Sequence, residues 1–252
     1  MIRQKIEIRF EKSDAVRFIS HHDLMRALAR ALRRAALPVR LTEGFNPRPR
    51  IVFPVALEVG VASLDEAAEI ELTQCLSTQE LQDRLAAVFP PGLVLKTVRE
   101  VPPRRAGQVP TRMLYRLHLA EAGLTVTETQ AAALLAATTL PFARPREKRV
   151  QNVDLRPALL EVKPEASGDL LVAVRPAERG SARPLEVLSL LTQLPLNQLR
   201  HVRTTKLQMD LQTAPELTEQ ELKEREILLE REAQAAAGNS PPPENPAETC
   251  PE

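Results

Sequence analysis

Two runs of this 252-residue chain carry the side chains best able to do chemistry. The first is Arg17-Phe18-Ile19-Ser20-His21-His22-Asp23-Leu24-Met25-Arg26, and the second is Gly44-Phe45-Asn46-Pro47-Arg48-Pro49-Arg50. Imidazole titrates near neutrality, so His21 or His22 could serve as the general base of a metal-independent RNA cleavage. Adjacent histidines at a helix start diverge, so they cannot hold one metal in the i, i+4 manner. His118 and His201 lie far along the chain and offer neither of them a partner at catalytic spacing. Guanidinium groups suggest a different chemistry, forked donation to phosphate. At helical spacing Arg26, Arg30, Arg33 and Arg34 share an arc of about 100°, with His22 beside it. Leu24, Leu28, Ala31, Leu32 and Ala35 take the opposite side. Such a row suits a polyanion and implies salt-sensitive binding; the plain alternative is an amphipathic helix whose solvated face is rich in arginine.

The second run adds Arg48 and Arg50, directed by Pro47 and Pro49. Gly44 permits positive φ or a close backbone approach. Phe45 could stack on a base or anchor the loop in the core. Asn46 could hydrogen-bond a ligand or its own turn. The expected nucleic-acid-binding set is therefore Arg26, Arg30, Arg33, Arg34, Arg48 and Arg50 for phosphates, with His22, Phe45 and Asn46 for bases or sugars. Further cations, Arg144-Pro145-Arg146-Glu147-Lys148-Arg149 and Arg200, Arg203 and Lys206, could extend one electropositive surface.

The elements that must position these groups follow from periodicity. Residues 5–10 alternate as a strand, with Ile6, Ile8 and Phe10 on one side. Phe18 and Ile19 read as its continuation or as a hairpin arm. Ser20-x-x-Asp23 starts a helix in capping-box fashion, and Pro38 ends the run. Strands are expected over 50–58, 68–72 and 93–101, and a helix from Ser77 to about Val88, broken by Pro90-Pro91-Gly92. The second half repeats the order. It has a strand over 113–119, a helix from Thr127 to about Ala137, a hairpin of 152–162 with 169–174, a helix over 184–194 and a strand over 202–211. The fold class is α+β, with two ferredoxin-like βαββαβ modules built on antiparallel sheets. The expected domains are 1–101, a linker over 102–112, a second module over 113–213, and an acidic helix with a disordered tail over 214–252.

Composition narrows the function. Hydrophobic residues make up 43% and aromatics 3%, with no Trp and one Tyr, which argues against an extended base-stacking platform. The net charge of +1 conceals segregation. Residues 1–50 hold 12 Lys/Arg against 5 Asp/Glu, whereas 214–252 hold 3 against 10, so the tail's acids could compete with a polyanion for the basic surface. Two distant cysteines supply neither a disulfide framework nor a metal or cluster site. No metal and no cofactor is expected. With no apolar leader and no run of about 18 apolar residues, a cytoplasmic protein without a membrane partner is expected.

The two signature runs, together with Arg9-Phe10 and Arg30-Ala31-Leu32-Arg33-Arg34-Ala35, closely resemble the radical-SAM-linked protein family, a bacterial domain of unknown function. The similarity spans about residues 1–210. In that family the domain stands alone or is fused behind a cobalamin-binding radical SAM enzyme, and its genes often neighbour one for an RNase E/G-type ribonuclease. The resemblance implies an accessory or substrate-handling role beside such an enzyme, with RNA (tRNA or rRNA) and the radical SAM enzyme as partners. A radical SAM cluster needs three closely spaced cysteines; Cys75 and Cys250 cannot provide them, so this chain would be the partner and not the catalyst. The family's Ser-His-Leu-Asp is here Ser20-His21-His22-Asp23, and no catalytic residue carries over. The first module is also similar in fold to the repeat domains of CRISPR processing endoribonucleases. Three functions thus stand as expectations: a non-enzymatic RNA-binding accessory protein, a metal-independent endoribonuclease using His21 or His22, and a protein-interaction module without nucleic acid.

Overall fold

A computed structural model describes residues 3–43, 46–102, 107–146, 149–177, 181–212 and Gln220. The elements run β1 (Gln4–Lys12), a 3-10 turn at Asp14–Val16, α1 (His21–Arg34), β2 (Ile51–Val52), β3 (Val61–Leu72), α2 (Thr78–Ala86) and β4 (Leu93–Val101). They continue with β5 (Val109–Leu117), α3 (Glu128–Ala136), β6 (Pro141–Arg146), β7 (Arg149–Asp154), β8 (Leu159–Pro164) and β9 (Leu170–Val174). The last are α4 (Pro184–Thr192), α5 (Leu196–Leu199) and β10 (Thr204–Gln212). This is an α+β chain with a mostly antiparallel sheet and few helices.

One sheet runs through both halves in the order β4-β1-β3-β10-β5-β9-β8, with β2 also paired to β3. Within the first half the strands lie fourth, first, third, second; β10-β5-β9-β8 repeats that order, with β6 and β7 set apart as their own hairpin. Each half has its own core. Ile6, Ile8 and Phe10 meet Ala68, Ile70 and Leu72 under Leu24, Leu28 and Leu32 of α1 and Leu81 and Leu85 of α2. The second packs Met113, Leu117, Leu170 and Val172 against Val187, Leu188 and Leu191 of α4. Each buried Leu, Ile or Val stabilises by about 1.5–3 kcal/mol, so these stripes fix which face every helix turns outward.

The halves join where β3 and β10 run parallel, pairing Val61 with Thr204, Ala62 with Thr205 and Ser63 with Lys206. Just there the β1–β3 register slips, so that Phe10 opposes Glu66 while Lys12 opposes Ser63. The extra residue on β3 turns both Ser63 and Glu66 to the helix side, as bulges do when they re-aim side chains. On the other side of the sheet Arg9 Nη1 donates to Asp65 (2.8 Å) and to the Met209 carbonyl (3.1 Å), while Asp65 accepts from Met209 N at 2.8 Å.

Several expectations change. The strand expected over 50–58 shrinks to Ile51–Val52, because Pro54 cannot donate to a ladder. Phe18 and Ile19 belong to no strand; they follow the 3-10 turn and lead into α1. The strand expected over 152–162 is split, since Pro157 starts a 3-10 turn at Arg156–Ala158 between β7 and β8. Arg144–Arg146 and Arg149 of the basic run are not a simple connection but lie in the paired strands β6 and β7, missed because prolines and charges mask alternation. Within each half the pairing is antiparallel as expected, and the parallel β3–β10 contact that joins the halves was not foreseen. The acidic helix and tail expected over 214–252, Gln220 apart, lie outside the described residues.

Candidate nucleic-acid interface

Helix α1 presents the arginine row through two local devices. Ser20 caps it, its Oγ accepting from Asp23 N at 3.1 Å and donating to the Asp23 carboxylate at 2.7 Å. The Ser20 hydroxyl, and then Arg26, hold Asp23 below the usual carboxylate range. A charged acid in the first turn and Arg33 and Arg34 in the last both complement the helix dipole. Burial of Leu24, Leu28, Ala31 and Leu32 then leaves His22, Arg26, Arg30, Arg33 and Arg34 exposed.

The row is not uniform. Arg26 Nη1 lies 3.4 Å from Asp23 Oδ1, an open pair in water that holds the side chain only weakly. Arg34 Nη2 donates to the Val88 carbonyl and is drawn toward the end of α2. Among the described residues no carboxylate pairs with Arg30 or Arg33.

The end of the second run pairs with the residues that precede it. Arg50 N donates to Arg40 O (2.9 Å), Thr42 N to Arg48 O (2.8 Å) and Arg48 N to Thr42 Oγ1 (3.1 Å). This leaves Asn46 and Arg48 exposed. Arg50 does not join them. It is half-buried, its Nε 3.4 Å from Glu71 Oε2, the same oxygen that takes Arg40 Nη1 at 3.1 Å. Gly44 and Phe45 lie outside the described residues.

The second half adds less positive surface than its composition suggests. Arg144 is buried in a two-pronged pair with Glu186, at 2.7 Å on each oxygen, and also donates to Ser181 O at 3.0 Å. Arg203 is paired with Glu121. Lys206 is wholly buried against Glu66. Glu147 and Lys148 lie outside the described residues. Arg200 and His201 are exposed.

The two histidines part company. His22 is exposed, whereas His21 is half-buried with its ring edge-on to Phe53 at 4.9 Å. Burial, reinforced by His22, pushes the His21 imidazole below its usual range and keeps it neutral at pH 7. Its Nδ1 is buried without a hydrogen-bond partner among the described residues. Behind it lies a group that periodicity alone did not reveal. Lys12, Ser63, Glu66, Lys206 and Tyr115 share one buried face of the junction, placed there by register. Lys12 Nζ donates to the carbonyls of Arg17 (2.8 Å) and Ile19 (3.3 Å). Burial pulls the Lys12 ammonium below its usual range and drives the Tyr115 phenol far above its own. One signal was available: Lys12 continues the inward alternation of Ile6, Ile8 and Phe10, an unusual place for a cation.

Among the described residues no cluster of His, Cys, Asp or Glu is arranged to hold a metal, and no helix is long and apolar enough to cross a membrane. No curated protein matches the chain. A solved structure of an unknown protein from Galdieria sulphuraria is similar over 84% of this chain and 99% of that one, at 14% identity and a TM-score of 0.26. The family model described as "Uncharacterized protein conserved in bacteria (DUF2344)" matches residues 5–184. Running from β1 to the start of α4, that match takes in both signature runs and the β3 side of the junction, though not β10, and the chain belongs to this bacterially conserved family.

Proposed function

We propose that the chain is a non-enzymatic RNA-binding accessory protein whose α1 arginine face holds the phosphates of a tRNA or rRNA. The observation that carries this reading is the outward placement of Arg30 and Arg33, with no carboxylate beside either among the described residues, on a helix locked by its apolar side. Forked donors on one rigid face fit phosphate oxygens, and Arg26, Arg48, His22 and Asn46 are exposed to assist. Each half is read as a ferredoxin-like module; the repeated strand order, fourth, first, third, second, supports that. The working partner is a cytoplasmic radical SAM enzyme acting on the RNA, a reading supported by the resemblance of the signature runs.

The test is filter binding of fluorescent tRNA by the full chain at about 50 mM salt, where phosphate contacts are strongest. Arg30→Glu with Arg33→Glu should abolish retention, and unchanged retention overturns the reading. The neutral His21 with its orphan Nδ1 favours endoribonuclease chemistry as a second reading. RNA cleavage by the wild type that disappears in His21→Ala would establish it in place of the first.

A further inference from the structure

Of the chain's six phenylalanines, Phe10, Phe53 and Phe89 meet edge to face in or around the first core, whereas Phe18 is 66% exposed. An apolar ring left in water is ordinary when it sits on a loose loop. Phe18 does not. Its backbone is held on both sides: Lys12 Nζ, itself buried, takes the carbonyl before it, that of Arg17, and the carbonyl after it, that of Ile19. Gly60 N donates to the same Arg17 carbonyl at 2.9 Å, and turn bonds run from Arg17 N to Asp14 O and from Ile19 N to Val16 O. The Arg17 guanidinium, tied to Asp14, lies over the ring 4.6 Å from its centroid. One face of the ring is thus backed by a cation. Two residues on, Ser20 caps the helix that carries the arginine face.

We propose that Phe18 is a stacking platform for one unpaired base of a single-stranded nucleic-acid segment, whose phosphates run onto the arginine face of α1. The inference deepens the RNA-binding reading and rests on it. The choice of occupant comes from charge complementarity. Arg17 pairs with Asp14 and Arg26 with Asp23, but Arg30 and Arg33 on the adjoining helix have no carboxylate among the described residues, so these groups sum to a cationic setting in which an aromatic ring takes a base more readily than an apolar protein side chain. A single ring with one backed face can hold one base, in keeping with a chain too poor in aromatics for an extended platform. The burial of Lys12 acquires a role here: it fixes the platform before the ligand arrives, so little ordering remains to be done on binding.

The experiment measures Kd of the full chain for two single-stranded oligonucleotides of equal length and charge, one with uniform bases and one wholly abasic, at about 50 mM salt. The proteins are wild type, Phe18→Ala and Phe18→Trp. Wild type should bind the base-bearing strand more tightly than the abasic one. Phe18→Ala should lose about ten-fold on the base-bearing strand and nothing on the abasic one, and Phe18→Trp should restore the difference. Equal loss on both strands would reduce Phe18 to a structural residue and overturn the platform, as would no loss on either. Failure of wild type to bind either strand would overturn the phosphate reading and the platform with it. Abasic binding without any preference for bases would leave the arginine face standing and remove the platform alone.

Discussion

Lys206 Nζ lies 2.5 Å from Glu66 Oε1, with both side chains sealed from solvent where β10 and β3 run side by side. The two residues come from different halves of the sheet, and their pairing sits at the parallel contact between them. Removing two charges from water costs several kcal/mol each, and their attraction offsets this only while both are present. Lys206→Met or Glu66→Leu alone should therefore lower the unfolding free energy by about 3–5 kcal/mol. The double variant Lys206→Met, Glu66→Leu should recover most of that loss. Urea titrations of the four proteins give the coupling, and additive losses would show that the pair does not act as a unit.

His21 gives the chain a predictable response to acid. Its folded imidazole titrates below the ordinary value of 6.5, first because it is buried and then because His22 stands beside it. Between the depressed folded value and 6.5 the unfolded chain binds more protons than the folded one. Stability from this group is thus complete above 6.5 and is lost as pH falls through that window. Urea midpoints measured from pH 7.5 to 5 should fall more steeply for wild type than for His21→Gln. Parallel profiles would mean that His21 does not titrate differently on folding.

What could be read from the sequence was local. The Ser20, Ser77 and Thr127 caps stand where their spacing put them, and Gln130 completes a capping box with Thr127. Strand β4 spans the residues expected of it, and the leucine stripe of α1 fixed its outward arginines. Contacts made across the junction were hidden. Lys12, Glu66 and Lys206 are far apart in the chain and meet only through a bulge and a parallel pairing, neither of which leaves a periodic trace. Arg50 looked available because Pro47 and Pro49 stiffen its loop, yet Glu71 holds it inside the fold. Phe18 read, with Ile19, as a strand continuation or hairpin arm; its exposure was hidden because exposure depends on what lies opposite, not on composition.

Gly92 limits how the turn before Phe18 can sit. Its φ is +82°, a region that side chains disfavour, and an added Cβ would come within 2.9 Å of Val16 Cγ2 and closer still to Cγ1. Ser13 N also donates to the Gly92 carbonyl at 2.9 Å, so the 3-10 turn is docked on this residue. Gly92→Ala should destabilise by about 1–3 kcal/mol through backbone strain alone, with the clash added. Pairing it with Val16→Ala should relieve the worst of the clash, leaving Val16 Cβ at 3.2 Å, and leave the strain, giving a partial rescue in thermal melts. A full rescue would show the backbone to be unstrained, and no effect of Gly92→Ala would remove both terms.

The arginines should separate into two functional groups that composition cannot distinguish. Arg30 and Arg33 are exposed and without a carboxylate among the described residues, whereas Arg50 is half-buried on the Glu71 oxygen it shares with Arg40. A phosphate contact releases counterions, so each one lost shallows the plot of log K against log salt by about 0.7 for a single strand. Arg30→Ala with Arg33→Ala should shallow that slope by about 1.4 and leave the melting temperature unmoved. Arg50→Ala should do the reverse, costing about 1 kcal/mol of stability while the slope stays at the wild-type value. Affinities measured from about 50 to 200 mM salt, beside thermal melts of the same proteins, decide between them. A shallower slope in Arg50→Ala would move that residue back among the phosphate contacts. An unchanged slope in the Arg30, Arg33 double variant would take the polyanion off the α1 face.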